Sequence, residues 1–241
     1  SDLNTISRSG YAGIYVYSSS HGRIHANSVT NINDPEVCSI PGSTSLDDCQ
    51  YGNSYPIAVT GCHSTPCSSD IIVDGNVVRK NERWVGIMNH GAQRMLVVDN
   101  DVADTNFLYA NTVSEEVPNK PVVSSDHTWF VNNVGEISPP SANQGGYPLP
   151  SIHGHGEGLW LAGPDTNPTT GVHAIGNVFL DTGNAGSQSG IFVQSLTESV
   201  ISHNTLLSPH ELPPNTGILL KSSPHSYSNL FIAHNEITAK L

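Results

Sequence analysis

Residues 76–102 read NVVRKNERWVGIMNHGAQRMLVVDNDV and contain one complete copy of the unit that organises this chain. An Asn-x-apolar motif opens the stretch at 76–78, a Gly-apolar motif follows at 86–87, and the next Asn-x-apolar motif occupies 100–102. The two asparagines stand 24 residues apart. No run of 12 or more residues anywhere in the chain has apolar residues at the i, i+3, i+4, i+7 spacing of an amphipathic helix. The stretch therefore predicts short strands that repeat about every 24 residues.

The same unit recurs along the whole chain of 241 residues, with longer spacings where loops are inserted. Its first half, Gly-apolar-x-apolar, occurs at Gly13-Ile14-Tyr15-Val16, Pro56-Ile57-Ala58-Val59, Gly86-Ile87, Gly158-Leu159-Trp160-Leu161, Gly190-Ile191-Phe192-Val193 and Gly217-Ile218-Leu219-Leu220. Its second half opens at Asn27, Asn76, Asn100, Asn132, Asn177, Asn204 and Asn235, with a partial copy at Asn4. Short strands at such spacing predict stacked coils, because one coil cannot bury its apolar face alone. Asparagine suits the corner of such a coil, since it tolerates left-handed backbone angles and can bond to neighbouring backbone.

These repeats resemble the right-handed parallel β-helix of the pectin-lyase-like superfamily. The resemblance implies an all-β fold, a right-handed parallel β-helix of about seven coils with long inserted loops. Residues 1–241 would then form a single domain, cut from a longer β-helix. It also implies that the Asn corner joins the second and third strands of each coil. The Gly motif would be the first strand, whose outer face commonly carries the substrate groove in that superfamily. An all-β sandwich is the alternative fold.

Alternation along the first strands predicts which side chains point inward and which point outward. The inward set is Ile14, Val16, Ile57, Val59, Ile87, Leu159, Leu161, Ile191, Val193, Ile218 and Leu220. The outward set is Tyr15, Tyr17, Ala58, Thr60, Met88, His90, Trp160, Phe192, Gln194, Leu219 and Lys221. So many apolar side chains are unusual on a solvated face. Either inserted loops cover this outer face or it forms an apolar groove. The main insertions are predicted at 31–55 and 137–157, with a third at 112–126.

The charge and the cysteines restrict the partners and the compartment. Nine Lys and Arg against 21 Asp and Glu give a net charge of −12, which argues against nucleic acid as a partner. No apolar run approaches the roughly 20 residues that span a bilayer, so no membrane association is expected. The four cysteines fall in two close pairs, which favours the bridges Cys38–Cys49 and Cys62–Cys67. Disulfides indicate an oxidising compartment, so we expect a secreted or periplasmic protein.

The best candidate for chemistry is the stretch 151–160, in which His153, His155 and Glu157 alternate with glycine ahead of Trp160. Side chains at i, i+2 and i+4 point the same way in an extended segment. A histidine could act there as base or metal ligand and Glu157 as acid or ligand, with Trp160 as a platform for a sugar. The alternative is a loop whose histidines bond to backbone. The predicted substrate-binding set on the first-strand face is Tyr15, Tyr17, His90, Trp160, Gln194 and Lys221.

Enzymes that resemble this fold include polysaccharide lyases, polygalacturonase-type hydrolases and uronan epimerases. The resemblance therefore implies a carbohydrate-active protein that binds, and in the enzymatic case cleaves, a polysaccharide along the first-strand face. The scarcity of Lys and Arg on that face argues against a strongly anionic polymer unless Ca²⁺ bridges the charge. A non-catalytic adhesion or structural segment is the competing function. A metal site is the third, because His21, His63 and His90 all follow first strands. Further coils or a capping partner are expected at the two ends, since an open coil leaves backbone groups unpaired.

Overall fold

Three parallel β-sheets make up the computed structural model of the chain. It describes residues 4–9, 11–32, 54–61, 68–113, 122–137, 157–164, 167–180, 189–208, 216–221 and 226–239. Within these ranges there are 23 β-strands and no α-helix. Accordingly, no described helix is long and apolar enough to cross a membrane.

Every strand pairing in the three sheets is parallel. The first-strand sheet contains, in spatial order, β2 (Ala12–Tyr17), β5 (Tyr55–Thr60), β8 (Asn81–His90), β11 (Thr105–Thr112), β14 (Glu157–Ala162), β18 (Ser189–Gln194) and β21 (Thr216–Leu220). The second-strand sheet contains β3 (Arg23–His25), β6 (Ile72–Asp74), β9 (Leu96–Val98), β12 (Trp129–Val131), β16 (His173–Ile175), β19 (Leu196–Ser202) and β22 (Ser228–Ala233), with β15 (Thr169–Thr170) also beside β19. The third-strand sheet contains β1 (Thr5–Ser7), β4 (Ser28–Thr30), β7 (Val77–Arg79), β10 (Asp101–Ala103), β13 (Val134–Glu136), β17 (Val178–Leu180), β20 (Thr205–Ser208) and β23 (Glu236–Ala239).

The chain visits the first, second and third sheets in turn, and each strand then pairs with its counterpart one circuit later. We call one such circuit a coil. This stacking confirms the all-β, parallel, repeated architecture and is consistent with a β-helix. The interior is a single apolar core in which Ile57, Ile87, Leu159 and Ile191 are fully buried, as alternation predicts. At the two ends of the sheet the inward set is less buried: Ile14, Val16 and Ile218 pack against the core partly exposed, and Leu220 is 45% exposed.

Asparagine side chains form a ladder at the Asn corner, between the second- and third-strand sheets. In each step the Nδ2 of one asparagine donates to the Oδ1 of the asparagine in the next coil, at 2.9–3.1 Å. The eight members are Asn4, Asn27, Asn76, Asn100, Asn133, Asn177, Asn204 and Asn235. The ladder satisfies polar groups that are otherwise buried, which is why the same residue returns in every coil.

One predicted corner asparagine is wrong, because Asn133 rather than Asn132 makes the hydrogen bonds of the ladder. The Asn-x-apolar pattern selected Asn132 through Val134. In the structure Val134 pairs with Asp101 on the outer side, and Gly135 takes the inward position that pairs with Val102. A glycine at the apolar position is what concealed the correct frame.

The backbone role predicted for the ladder asparagine is also wrong. The left-handed residue is the one before it, namely Ala26, Gly75, Asp99, Asn132, Gly176, His203 or His234 in successive coils. The asparagine instead uses its side-chain amide to donate hydrogen bonds to backbone carbonyls outside the turn. Asn76 Nδ2, for example, donates to the carbonyl of Asp74 two residues earlier (3.1 Å) and to that of Ile24 in the preceding coil (3.0 Å).

Glycine recurs at the Gly corner, between the third- and first-strand sheets, because the inward side chain of the third strand needs its space. A Cβ on Gly86 would stand 2.4 Å from Val102, and one on Gly158 would stand 2.6 Å from Phe179. Such distances cannot be accommodated without displacement. In one coil the two roles are exchanged, because Leu108 stands at the Gly corner and Gly135 at the inward position of the third strand.

Candidate functional site

The outer face of the first-strand sheet presents two rows of side chains in register. The row nearer the start of the strands is Tyr15, Ala58, Met88, Ala110, Trp160, Phe192 and Leu219. The next row contains Tyr17, Thr60, His90, Thr112, Ala162 and Gln194, and Lys221 follows the end of β21. The strand register therefore places the predicted substrate-binding side chains on one sheet, and their binding role stays a prediction.

The middle of this outer face is a second apolar cluster and not an open groove. Its buried members are Tyr55, Ala58, Trp84, Val85, Met88, Phe107 and Ala110, and Ala12 and Trp160 pack against them partly exposed. The insertions predicted to cover this face lie mostly outside the described residues, so cover by those loops stays a prediction. Burial of this cluster adds to stability through the area removed from water.

Trp160 is half-buried within this cluster. Its ring stacks on Phe107, with centroids 5.1 Å apart and planes 24° apart, and meets the edge of Trp84 at 6.3 Å. One face of the indole is thus occupied by protein, so a sugar could stack only on the other. Its predicted role as a platform is restricted to that one face.

Three tyrosines form an exposed aromatic patch at the β2 end of the same face. Tyr11, Tyr15 and Tyr17 are 52%, 48% and 42% exposed. The Tyr11 ring lies 6.3 Å from that of Tyr15 and meets Tyr55 edge-on at 5.4 Å. These contacts hold Tyr11 beside the two predicted residues. Sequence reasoning missed Tyr11, although it shares the odd-numbered alternation of Tyr15 and Tyr17.

Of the three predicted catalytic residues, the structure describes only Glu157. His153 and His155 lie outside the described residues. Glu157 opens β14, is 2% exposed and is the Cα partner of Phe107 in β11. It therefore lies beside the covered apolar cluster. Its role as an acid or ligand stays a prediction.

The remaining predicted binding residues are brought together only at one end. Lys221 Nζ lies 3.5 Å from the amide oxygen of Gln194, at the β18–β21 end of the face. His90 is half-buried at the end of β8, where its Cα partners are Thr60 and Thr112. Three strand steps separate β8 from β18, which corresponds to about 14 Å. His90 and Gln194 thus belong to different parts of the face.

The histidine ladder proposed as a metal site is not assembled by its described members. His21 lies at the corner between the first- and second-strand sheets, one residue after the Ser20 that bridges to Ser69. His90 lies in the first-strand sheet itself, so the two are in different columns. His63 and all four cysteines lie outside the described residues, and the two disulfides stay predictions. Among the described residues no group of three or more His, Cys, Asp or Glu could hold a metal ion.

Sequence reasoning also missed a buried polar pair inside the core. Asn89 and Asn111 occupy positions that hold Val59 and Leu161 in neighbouring coils. Asn89 Nδ2 donates to Asn111 Oδ1 at 2.9 Å and to the Thr128 hydroxyl at 2.8 Å. Both side-chain amides have hydrogen-bond partners near the corner of the coil. Burial of these amides without partners would be costly. Its signal was an asparagine where the strand pattern demands an apolar residue.

Comparison with family models, with curated proteins and with solved structures found no match for this chain.

Proposed function

We propose that the chain is a right-handed parallel β-helix of the pectin-lyase-like type, with about seven coils, that binds a polysaccharide on the outer face of its first-strand sheet. The observation that carries the proposal is the exposed patch of Tyr11, Tyr15 and Tyr17. Tyrosine combines an apolar ring with a polar tip, which suits a ligand that is apolar on one face and rich in hydroxyl groups. Contiguous exposed apolar surface on a soluble protein often marks a binding site.

The charge of the face indicates which polysaccharide fits. In the row of Tyr17 the acidic or basic side chains are His90 and Lys221, and the row of Tyr15 has none. A neutral glycan matches such a surface better than a polyuronate does. With Ca²⁺ between protein and polymer, an anionic chain would become acceptable. Secretion or export to the periplasm is part of the same proposal.

The test is a glycan-array screen followed by titration of the best ligand. Tyr15→Ala and Tyr17→Ala should each weaken binding by about 1–3 kcal/mol, because an aromatic contact at the centre of an interface is lost. Phe231→Ala is the matched control, since Phe231 is 56% exposed on a different sheet and should leave binding unchanged. Equal losses in all three variants, or no glycan bound by the wild type, would contradict the proposal.

Cleavage is a separate question from binding. If the protein is a lyase or hydrolase, His155→Ala and Glu157→Gln should abolish product formation and leave glycan affinity largely intact, because acid–base groups act in the transition state. Loss of affinity without any product from the wild type would favour binding alone.

The second candidate is a non-catalytic structural or adhesion segment, in which the stacked coils act as a rigid spacer. Two observations favour it: the Asn ladder continues through eight coils, and the middle of the outer face is buried. A protein that binds no glycan but keeps its cooperative unfolding would fit this function. Elemental analysis of the purified protein tests the third candidate, a metal-binding protein.

A further inference from the structure

Histidine is concentrated on a face that the proposed glycan site does not use. Of the seven histidines in the described ranges, six lie on the outer face of the second-strand sheet or on the two corners that border it. They are His21, His25, His127, His173, His203 and His234. Five are exposed and His173 is half-buried. We name this surface the histidine face.

The corner before the second strands contains His21 and His127. The backbone N–H of His21 donates to Ser69, so its neighbour in the next coil is Asp70, whose carboxylate is held by Arg94 through two hydrogen bonds of 2.7 and 2.8 Å. Arg94 also keeps the pKa of Asp70 well below its ordinary value, with help from Ser69 and the charge of His21.

His127 stands one coil beyond Arg94 in this column. A Cβ on Gly171 would meet its ring at 2.9 Å, so the imidazole lies over that glycine. The preceding residue, Asp126, accepts the backbone N–H of Thr170, and Glu198 occupies the next coil. His127 therefore lies between Arg94 on one side and Gly171 on the other, and Glu198 follows Gly171 one coil further along.

The second strands themselves contain His25 and His173. His25 Nδ1 lies 2.7 Å from Asp74 Oδ2, and Arg23 binds both oxygens of that carboxylate at 2.6 and 2.8 Å. His173 stacks flat on Trp129, with centroids 5.5 Å apart and planes 4° apart. Burial, followed by the charge of His127, lowers the pKa of His173.

The corner after the second strands contains His203 and His234 in adjacent coils. Their rings lie 5.1 Å apart at an angle of 31°. Asp99 occupies the same left-handed position in an earlier coil, and Glu236 opens β23 two residues after His234. Two stacked imidazoles on the surface repel each other once both are charged. A bound anion close to both rings would offset that repulsion.

The charge of the histidine face changes sign as its histidines titrate. Its described charged side chains are two cations and five carboxylates, namely Arg23, Arg94, Asp70, Asp74, Asp99, Asp126 and Glu198. The face thus stands at −3 with neutral imidazoles and at +2 with its five exposed imidazoles protonated, because burial disfavours the charged form of His173. The net charge of the whole chain changes in the same direction. It is −12 with neutral histidines, and protonation of all 12 histidines would bring it to zero. Histidine is the side chain that ordinarily changes charge between about pH 5 and 8.

We propose that the histidine face is a pH-gated binding surface for a linear anionic polysaccharide, which it binds at about pH 5.5 and releases at about pH 7.5. The array runs along the stacking direction from β3 to β22, six strand steps or about 29 Å. That length fits a polymer with repeated charges better than a small anion. A single-stranded nucleic acid would in addition need aromatic platforms for its bases. The indole at the middle of the face, Trp129, is already stacked on His173.

The test measures binding of dextran sulfate at pH 5.5 and 7.5, with neutral dextran as the reference polymer. We expect at least a tenfold gain in affinity at the lower pH, and loss of that gain in high salt. In the variant H127N/H203N/H234N most of the gain should disappear. Asparagine is the replacement because all three positions have left-handed backbone, which it tolerates.

Two further variants make the result specific. Lys80→Asn, at a left-handed position between β7 and β8, removes a cation from a different part of the molecule and should retain the full gain. Asp99→Asn removes a carboxylate from the histidine face at another left-handed position and should strengthen binding at both pH values. The proposal is overturned by a wild-type affinity that does not change with pH. It is likewise overturned by equal losses in Lys80→Asn and the triple variant, or by tighter binding of a single-stranded oligonucleotide of matched charge.

Discussion

The Asn corner and the Gly corner occur in the same coils but tolerate change very differently. At the Asn corner all eight described positions have the same residue. At the Gly corner the column reads Gly13, Pro56, Gly86, Leu108, Gly158, Gly190 and Gly217, so two of seven coils depart from glycine. The ladder at the Asn corner depends on donor and acceptor geometry, which asparagine meets and Leu or Val does not. The Gly corner depends only on the combined volume of the corner residue and the inward residue of the third strand, so the two can exchange sizes.

The coil with Leu108 shows how the Gly corner accommodates change. Its inward third-strand residue is Gly135, where the neighbouring coils have Val102 and Phe179. A Cβ on Gly135 would stand 2.5 Å from the Leu108 side chain. Large and small residues have thus exchanged places across one corner, and the interior remains filled.

The largest effect is expected when only one of the two exchanged residues, Leu108 or Gly135, is replaced. Leu108→Gly should lower the free energy of unfolding by about 4 kcal/mol, because it empties a fully buried site facing another glycine. Gly135→Val alone should cost about 2 kcal/mol through overpacking. The double variant, which recreates the arrangement of Gly86 and Val102, should recover at least about 2 kcal/mol of the summed loss. Urea denaturation measures all three, and strictly additive losses would show that the two sites do not share one space.

A somewhat smaller effect is expected from breaking the ladder. Asn133→Leu should cost about 3 kcal/mol, since Asn100 loses its acceptor and Asn177 its donor in a buried site. Asn132→Gly is the matched control one residue away. It preserves the left-handed backbone and should change stability by no more than about 0.5 kcal/mol. Similar losses of stability in Asn133→Leu and Asn132→Gly would contradict the assignment of Asn133 to the ladder.

The smallest effect is expected from a charge next to the Asn corner. Arg23, followed by His25, holds the pKa of Asp74 below its ordinary value despite partial burial. A carboxylate with a lowered folded-state pKa contributes stability above the unfolded value of about 3.9 and loses it as the pH falls. Asp74→Asn should therefore cost about 0.5 kcal/mol at pH 7 and less at about pH 2.5, below the unfolded value. The cost of Asn133→Leu should be the same at both pH values, because its hydrogen bonds involve no charge. Thermal unfolding across this pH range compares the two, and parallel curves would contradict the distinction.

The same contrast explains which sequence predictions succeeded. The asparagine repeat predicted the parallel stack and seven of the eight ladder positions, because a hydrogen-bonded role requires one residue type. Its single error, Asn132 for Asn133, arose in the coil where Leu108 and Gly135 are exchanged. A pattern that expects an apolar residue after the asparagine cannot recognise compensation by a residue 27 positions earlier in the chain.

For the candidate site, alternation placed Tyr15, Tyr17 and Trp160 on the correct outer face. It could not predict that Trp160 would stack on Phe107, because that contact joins residues 53 positions apart across two coils. The grouping of six histidines on the second-strand sheet was likewise hidden. Their spacing in the chain follows loop lengths, which vary, and only the stacking of coils brings them into columns.

Local rules acting within one coil were thus readable from the amino-acid sequence alone: the period-two strands, the corner asparagines, the glycines and the direction of each side chain. The tertiary structure decided everything that depends on register between coils. It determined which glycine faces which apolar side chain, which aromatic rings are covered, and which ionisable groups become neighbours. The physical reason is that strands in a parallel stack meet partners tens of residues away, so their side-chain neighbours are set by packing and inter-strand hydrogen bonds and not by chain proximity.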